Sequence, residues 1–278
     1  MAGTVSFIPP GEKSLLPFVK GYYYHFAKES DFTGHLAFYQ NVTSTITVYR
    51  NTVMWEEDGK WYHQPADQPA LYGYLAAKVN KVQAVYFAHP FERIALVFHP
   101  GGINHLLPTP LSQWVPGTIN PFSHFQQEFN HLLPPLFDSF SLPELQSVLD
   151  SFLLRHWQPF PVPHLLRVIE QMISTPDTIK VGALAQELGI SRRTLLRQFQ
   201  KHLVYSPEEY LSVIKFRKAL LNYQQADEAT LVQIAHESGY YDQADFNHHL
   251  KERSGLTPSQ LFAQLRIMDD VLFWSDSQ

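Results

Sequence analysis

Residues 181–207 read VGALAQELGISRRTLLRQFQKHLVYSP, and residues 231–258 read LVQIAHESGYYDQADFNHHLKERSGLTP. The second stretch repeats the first. Ala185 and Gly189 recur 50 positions later as Ala235 and Gly239, while Leu195, Phe199, Ser206 and Pro207 recur 51 positions later as Phe246, Leu250, Thr257 and Pro258. One inserted residue in the second turn accounts for the change of offset. Each copy predicts a helix, a tight turn, a second helix and then a fresh helix start. Alanine four places before the glycine lets two helices cross closely, glycine supplies the positive φ that ends the first helix, and the apolar pair seats the second helix on the first. Ser206-Pro207-Glu208-Glu209 and Thr257-Pro258-Ser259-Gln260 are capping boxes with proline at the first helical position. A single αα-hairpin of this kind needs no partner. Two in register, joined by an amphipathic helix from Glu208 to about Gln224, point to a double reader of DNA.

The first recognition helix starts at Ser191, an N-cap whose neighbouring free amides also suit a phosphate. Residues 191–201 hold Arg192, Arg193, Arg197 and Lys201 and no acidic residue. Arg193 and Arg197 lie four apart and share the face opposite Leu195 and Phe199. Arginine there can grip guanine O6 and N7, a contact worth ~1–3 kcal/mol of discrimination, whereas Arg192 and Lys201 suit phosphate. The second recognition helix starts at Asp242 and offers Gln243, Ala244, Asn247 and His248; Gln and Asn match adenine edges. It is only weakly cationic, so the first unit is expected to dominate affinity, and plain surface polarity is an alternative for Asn247 and His248.

Val181 to Ala185, Gly189-Ile190-Ser191, Leu195 to Phe199, Ser206-Pro207, Tyr210-Leu211, Arg217, Ile234-Ala235, Gly239-Tyr240, Asp242, Phe246 and Gly255 to Pro258 together resemble the AraC/XylS-type DNA-binding domain. Two positions depart from that pattern: Val204 stands where a glycine is usual before the Ser-Pro, and Leu250 where an aromatic is usual. The resemblance implies a bacterial transcription regulator whose paired helix-turn-helix units enter successive major grooves on one face of double-stranded DNA, ~34 Å apart. It places Arg193, Leu196 and Arg197 at base-facing positions, with Leu196 against a thymine methyl.

Whole-chain composition hides this function. The 278 residues carry 21 Lys plus Arg against 26 Asp plus Glu, a net charge of -5, with no Cys. Residues 177–266 nevertheless carry eleven basic and ten acidic residues, so the positive charge of DNA binding is confined to one helix. The absence of cysteine excludes disulfides, thiolate metal sites and a thiol redox sensor. No secretory signal or membrane-length apolar run is present, so the cytoplasm is the expected compartment.

Upstream, residues 19–100 read as β. Val82, Ala84, Tyr86 and Ala88 alternate with Gln83, Val85 and Phe87; Thr43 to Tyr49 is a second strand pattern, broken by turn-type Asn51 and then Asp58-Gly59. Short strands at this spacing predict a barrel or sandwich. The pattern breaks at Phe98-His99-Pro100-Gly101-Gly102, and the next stretch, to about 120, reads as turns and short helices. Ser141-Leu142-Pro143-Glu144 predicts a capping box opening a helix with Leu145, Val148, Leu149 and Phe152 on one face. That stripe is a core face or a dimer seam. The expected fold class is α+β: a β-rich sensing or dimerising domain at 1–140, a helical connector at 141–176, an all-α domain with two helix-turn-helix units at 177–266, and an acidic tail at 267–278.

The N-terminal half, through Gly73-Tyr74, the Val82 to Phe98 strands and the Phe98 to Gly102 turn, resembles the poorly characterised domain that accompanies a subset of AraC-type regulators. That resemblance implies a sensor, a dimerisation module or both, with an unidentified small-molecule effector, RNA polymerase and a second copy of the chain as further partners. Aromatics are dense there, among them Tyr22, Tyr23, Tyr24, Tyr39, Tyr49, Trp55, Trp61, Tyr72, Tyr74 and Tyr86; ligand pockets use such walls, and so does ordinary packing. No zinc, calcium, nucleotide or Ser-x-x-Lys catalytic arrangement holds up, and the expectation is no cofactor and no enzyme activity. A DNA-tethered, cupin-like metal enzyme and a domain that only dimerises or binds protein are the alternatives.

Overall fold

A computed structural model of the protein describes residues 4–28, 35–79, 81–87, 89–176, 178–225, 230–268 and 272–276. Among the described residues ten strands precede the α-helices, with two short 3-10 turns (Gly102–His105 and Leu111–Gln113) before the last: β1 (Thr4–Ile8), β2 (Val19–Ala27), β3 (His35–Phe38), β4 (Ser44–Arg50), β5 (Thr52–Glu57), β6 (Lys60–Pro65), β7 (Leu71–Ala76), β8 (Gln83–Phe87), β9 (Phe91–Phe98) and β10 (Ile119–Pro121). Two short strands, β11 (Arg266–Met268) and β12 (Leu272–Asp276), close the chain. They form two six-stranded sheets, β1-β2-β9-β4-β7-β10 and β11-β12-β3-β8-β6-β5. The expected sandwich-like β-domain is therefore present, and the predicted β8 alternation runs to Phe87, Ala88 lying outside the described residues. Asp58 and Gly59 both take positive φ, 49° and 74°, the two-residue hairpin turn whose twist suits β5 and β6. Residues 267–278, read from sequence as a tail, include β12, which pairs with β3 of the β-domain.

The first sheet is covered on both faces. Tyr22, Ile46, Val48, Ile94, Leu96 and Phe98 pack against the helical connector, while on the other face Tyr49, Tyr74 and Phe91 pack against the second sheet and Tyr23, Ala95 and Val97 cluster with Val5 and Phe7 of β1. The covering helices are α1 (Gln126–Leu132), α2 (Pro134–Asp138) and α3 (Leu142–His156). Leu145, Leu149 and Phe152 are fully buried and Val148 half-buried, which makes the predicted stripe a core face of this chain. The capping box predicted at Ser141 does not form: Ser141 is the N-cap but makes no side-chain cap bond. Pro143 removes only the second-position amide; the Glu144 amide that a capping box uses is still there, and the Ser141 side chain does not bond it.

Seven further helices follow. α4 (His164–Ser174) and α5 (Val181–Glu187) lead to α6 (Arg192–His202), then come the long α7 (Pro207–Gln225), α8 (Leu231–Glu237), α9 (Gln243–Ser254) and α10 (Pro258–Gln264). The connector region is shared: α3 belongs to the β-domain core, and α4 contributes Leu165, Val168, Ile169 and Met172 to the core of the first helical unit. α7 serves both units, its Tyr210, Val213 and Ile214 in the first core and its Phe216, Ala219 and Leu220 in the second.

The Phe98 to Gly102 turn is where the first unit docks. Gly101 has φ 81° and lies against Leu166, Ile169 and Leu203, and the Phe18 carbonyl leaves no room for a Cβ at Gly102. Asn104 donates to the carbonyls of Gly101 and His202, at 3.1 and 3.0 Å. Tyr205 Oη donates to the Asn41 carbonyl and accepts from Val79 N, both at 3.0 Å. Between them Val204 adopts φ 60°, strained for a β-branched residue, and its side chain packs against both the β-domain core and the first-unit core. Its counterpart in the second copy is Gly255, at φ 75°.

Asp150 ties the N-terminal segment to α3. It is 5% exposed; its Oδ1 accepts from Tyr22 Oη at 2.6 Å and its Oδ2 from the amides of Gly11 and Glu12 at 2.8 and 2.9 Å. Asp150→Ala is expected to strand three donors and lower stability by about 3 kcal/mol, read as a lower urea midpoint at unchanged m-value.

Candidate nucleic-acid interface and a cavity between the sheets

The sequence repeat is a repeat of hydrogen bonds. In the first copy Ile190 N donates to the Ala185 carbonyl at 3.0 Å and Gly189 N to the Gln186 carbonyl at 3.0 Å; in the second, Tyr240 N donates to the Ala235 carbonyl at 3.1 Å and Gly239 N to the His236 carbonyl at 3.0 Å. Each pair closes the C-terminus of a short helix in the left-handed manner, with Gly189 at φ 65° and Gly239 at φ 78°. Ala185 and Ala235 are buried, as are the apolar pairs Leu195 with Phe199 and Phe246 with Leu250. This is a paired helix-turn-helix architecture, with α6 and α9 as the second helix of each unit.

Ser191 caps α6, its Oγ accepting from Thr194 N at 3.1 Å. Arg192, Arg193, Arg197 and Lys201 are exposed along α6 and Leu196 is half-buried beside them. The Arg192 guanidinium lies against Gly182 of α5, closer than a Cβ there would allow, so it leans toward the cleft between the units. On α9 the side chain of Asp242 accepts from Asp245 N at 2.8 Å, and Gln243, Ala244, Asn247 and His248 are all exposed. Tyr241, just ahead of that cap, is 94% exposed and has no sequence signal that singled it out.

Behind α9 a polar chain joins it to α7. Tyr240 Oη and Ser212 Oγ sit 2.6 Å from Nδ1 and Nε2 of His249, and Arg253 Nη2 donates to Ser212 Oγ at 2.7 Å. Burial, then the Arg253 charge, pushes the His249 pKa down to about 4. Ser212, the start of the Ser-x-x-Lys pattern, thus holds two helices together.

Between the two sheets and α7 lies a cavity of about 150 Å³. β4 contributes Thr45, Thr47 and Tyr49; Phe38 and Phe87 come from the opposite sheet, and Arg217 from α7. Of the aromatics dense in the sequence, Tyr23, Tyr39, Tyr49 and Tyr74 line it. Tyr22 and Tyr24 instead face the connector helices, and Trp55, Tyr62 and Tyr86 stack on one another at 4.6 and 4.7 Å. Arg93, also in the lining, was not flagged by sequence reasoning; the signal available was a cation in the alternating set Phe91, Arg93, Ala95 and Val97 beside the longest apolar run. Among the described residues no cluster of three or more His, Cys, Asp or Glu is placed to hold a metal ion, and no helix is long and apolar enough to cross a membrane.

Comparison with known proteins agrees with this geometry. Residues 184–264 match the family described as a helix-turn-helix domain. The HTH-type transcriptional activator RhaS of Pectobacterium atrosepticum is 28% identical over 85 residues, which is 31% of this chain and 30% of the relative; RhaS of Pectobacterium carotovorum matches equally. The matched segment is therefore less than a third of those relatives' own length. The apo form of a ToxT variant from Vibrio cholerae covers 92% of this chain and 99% of its own, at 12% identity and a TM-score of 0.50, a likeness of fold. The chain carries a C-terminal DNA-binding domain of the AraC/XylS type behind an N-terminal β-rich domain.

The half-buried His249 makes the second unit sensitive to acid. Its folded pKa lies below the unfolded value near 6.5, so its contribution to stability is complete above the unfolded pKa and declines as pH falls toward 4. Between pH 7 and pH 5 the loss is expected to be about 1–2 kcal/mol. Urea midpoints at the two pH values should differ for the native chain and differ less for His249→Gln.

Proposed function

We propose that this protein is a sequence-specific, DNA-binding bacterial transcription regulator, acting in the cytoplasm, without enzyme activity of its own and responsive to a small molecule held by its β-domain. The observation that carries the reading is the twofold occurrence of one helix-turn-helix geometry, hydrogen bond for hydrogen bond, with an exposed face on the first recognition helix that carries Arg192, Arg193, Arg197 and Lys201 and no acidic residue. One buried helix, α7, sits in both cores and fixes the units relative to each other, as reading two major grooves on one face requires.

In this reading Arg193 and Arg197 reach base edges, Leu196 touches a thymine methyl, and Ser191, Arg192 and Lys201 hold phosphate. Gln243, Ala244, Asn247 and His248 make the weaker contribution of the second unit. The domain limits proposed are 1–140 and 177–266, with 141–176 connecting them. RNA polymerase and a second copy of the chain are proposed partners. The sensing role rests on the cavity: Arg217 of α7 forms part of its wall, so an occupant touches the helix that carries both readers. Differential affinity for two reader arrangements would couple ligand to DNA, typically by ~1–3 kcal/mol.

Selection of binding sites from random DNA should return a site with two half-elements. Against that site Arg197→Ala is expected to lose preference at one base position, by about 1–3 kcal/mol, while Lys201→Ala weakens all sequences alike and lowers the salt slope by about 1. An Arg197→Ala protein with unchanged sequence preference removes that residue from the reading set.

A further inference from the structure

The cavity between the sheets holds a cation, Arg93, with no counter-charge among the described residues. Arg93 is 7% exposed, in the central region of a sheet covered on both faces. Its Nη1 donates to Tyr49 Oη at 2.8 Å and its Nε to His25 Nδ1 at 3.2 Å. Its Nη2 is buried and has no acceptor among the described residues. The rings of Tyr23, Phe91 and Tyr49 lie 5.4, 5.5 and 5.7 Å from the guanidinium; they soften its desolvation but offer no lone pair to Nη2. Among the described residues the ion pairs use Arg50, Arg155 and His156, and none reaches Arg93. His63, hydrogen-bonded to Tyr49 at 3.2 Å, is held neutral by its burial and by the Arg93 charge, so it neither adds to nor cancels that charge.

An apolar side chain at this position would cost the fold less than an unpaired buried guanidinium. Retaining the cation at a cavity wall is what a site for an anion requires, because the ligand supplies the missing partner. We propose that the cavity binds a compact monocarboxylate, its carboxylate paired with Arg93 and its body held among Phe38, Met54 and Phe87. This rests on reading the β-domain as a sensor. Guanidinium and carboxylate match in geometry, two parallel N–H donors against two oxygens. The cavity volume is that of a site that accepts a single benzene ring, which sets the ligand at roughly six to ten non-hydrogen atoms.

The test uses the full chain, followed by thermal unfolding, with hexanoate and cyclohexanecarboxylate as probes and hexanamide and cyclohexanecarboxamide as their neutral counterparts. The acids are expected to raise the melting temperature and the amides to leave it unchanged, a comparison that needs no variant. Arg93→Met is expected to melt higher than the native chain without ligand and to bind the acids at least about tenfold more weakly. Equal shifts from acids and amides, no shift from either acid, or an undiminished shift in a folded Arg93→Met protein overturns the proposal; if Arg93→Met does not fold, the acid and amide comparison decides. DNA binding measured on the same preparations separates the two readings. Retained DNA binding with no response to acids sinks the ligand alone, whereas absent DNA binding sinks the regulator reading whatever the acids do.

Discussion

Covering both faces of one antiparallel sheet is the constraint on which the rest of this structure depends. β9, with Ile94, Leu96 and Phe98 toward the connector helices and Ala95 and Val97 toward the other side, has no water on either face. Apolar burial of this kind is worth ~25 cal/mol per Å², and it fixes where everything else can stand. The connector must lie flat on one face, so α3 becomes core. The second sheet must cover the other, and the gap left between them, where side chains do not fill the space, is the cavity. A charge placed on such a strand has no solvent to return to, which gives Arg93 its significance.

The same economy of surface joins the β-domain to the readers. The Gly101-Gly102 turn brings the backbone close enough to Phe18 and α4 for the first unit to seat directly on the β-domain. Val204 shows the strain this involves. A valine at φ 60° is disfavoured by steric contact with its own backbone, and it is retained where its side chain bridges two cores. In the second copy no such bridge is made from Gly255, and glycine occupies the same backbone conformation without strain. The second unit is held differently, by Gln40 Nε2 donating to the Arg253 carbonyl at 2.7 Å and by the pairing of β12 with β3. The orientation of α6 and α9 is thus set by contacts on both sides of the cavity.

Much of the helical half was legible in the sequence because its determinants are local. Glycine at a left-handed helix end, alanine at a close crossing, and Ser206 or Thr257 with a carboxylate or amide three residues on act within one or two turns of chain, and all form as expected. At Ser141 the matching residue pattern does not by itself produce a cap bond. The strands of the β-domain were legible as strands, yet their order was not. Sheet order depends on pairings such as Val19 with Phe98 and Ser44 with Phe98, far apart in the chain and carrying no mark in the local pattern. Tyr22 and Tyr23 look alike in sequence and face opposite sides of the sheet, one bonded to Asp150 and the other lining the cavity.

By itself the sequence determined a paired helix-turn-helix and the identity of the basic helix, since a repeat of short-range hydrogen bonds and caps is written residue by residue. Tertiary structure alone decided that the tail adds a strand to the β-domain, that the connector is divided between two cores, and that Arg93 stands beside a cavity with no counter-charge among the described residues. Those features arise from long-range burial, where the environment of a side chain is made by segments distant in sequence, and a cation becomes significant only when the fold has removed its water.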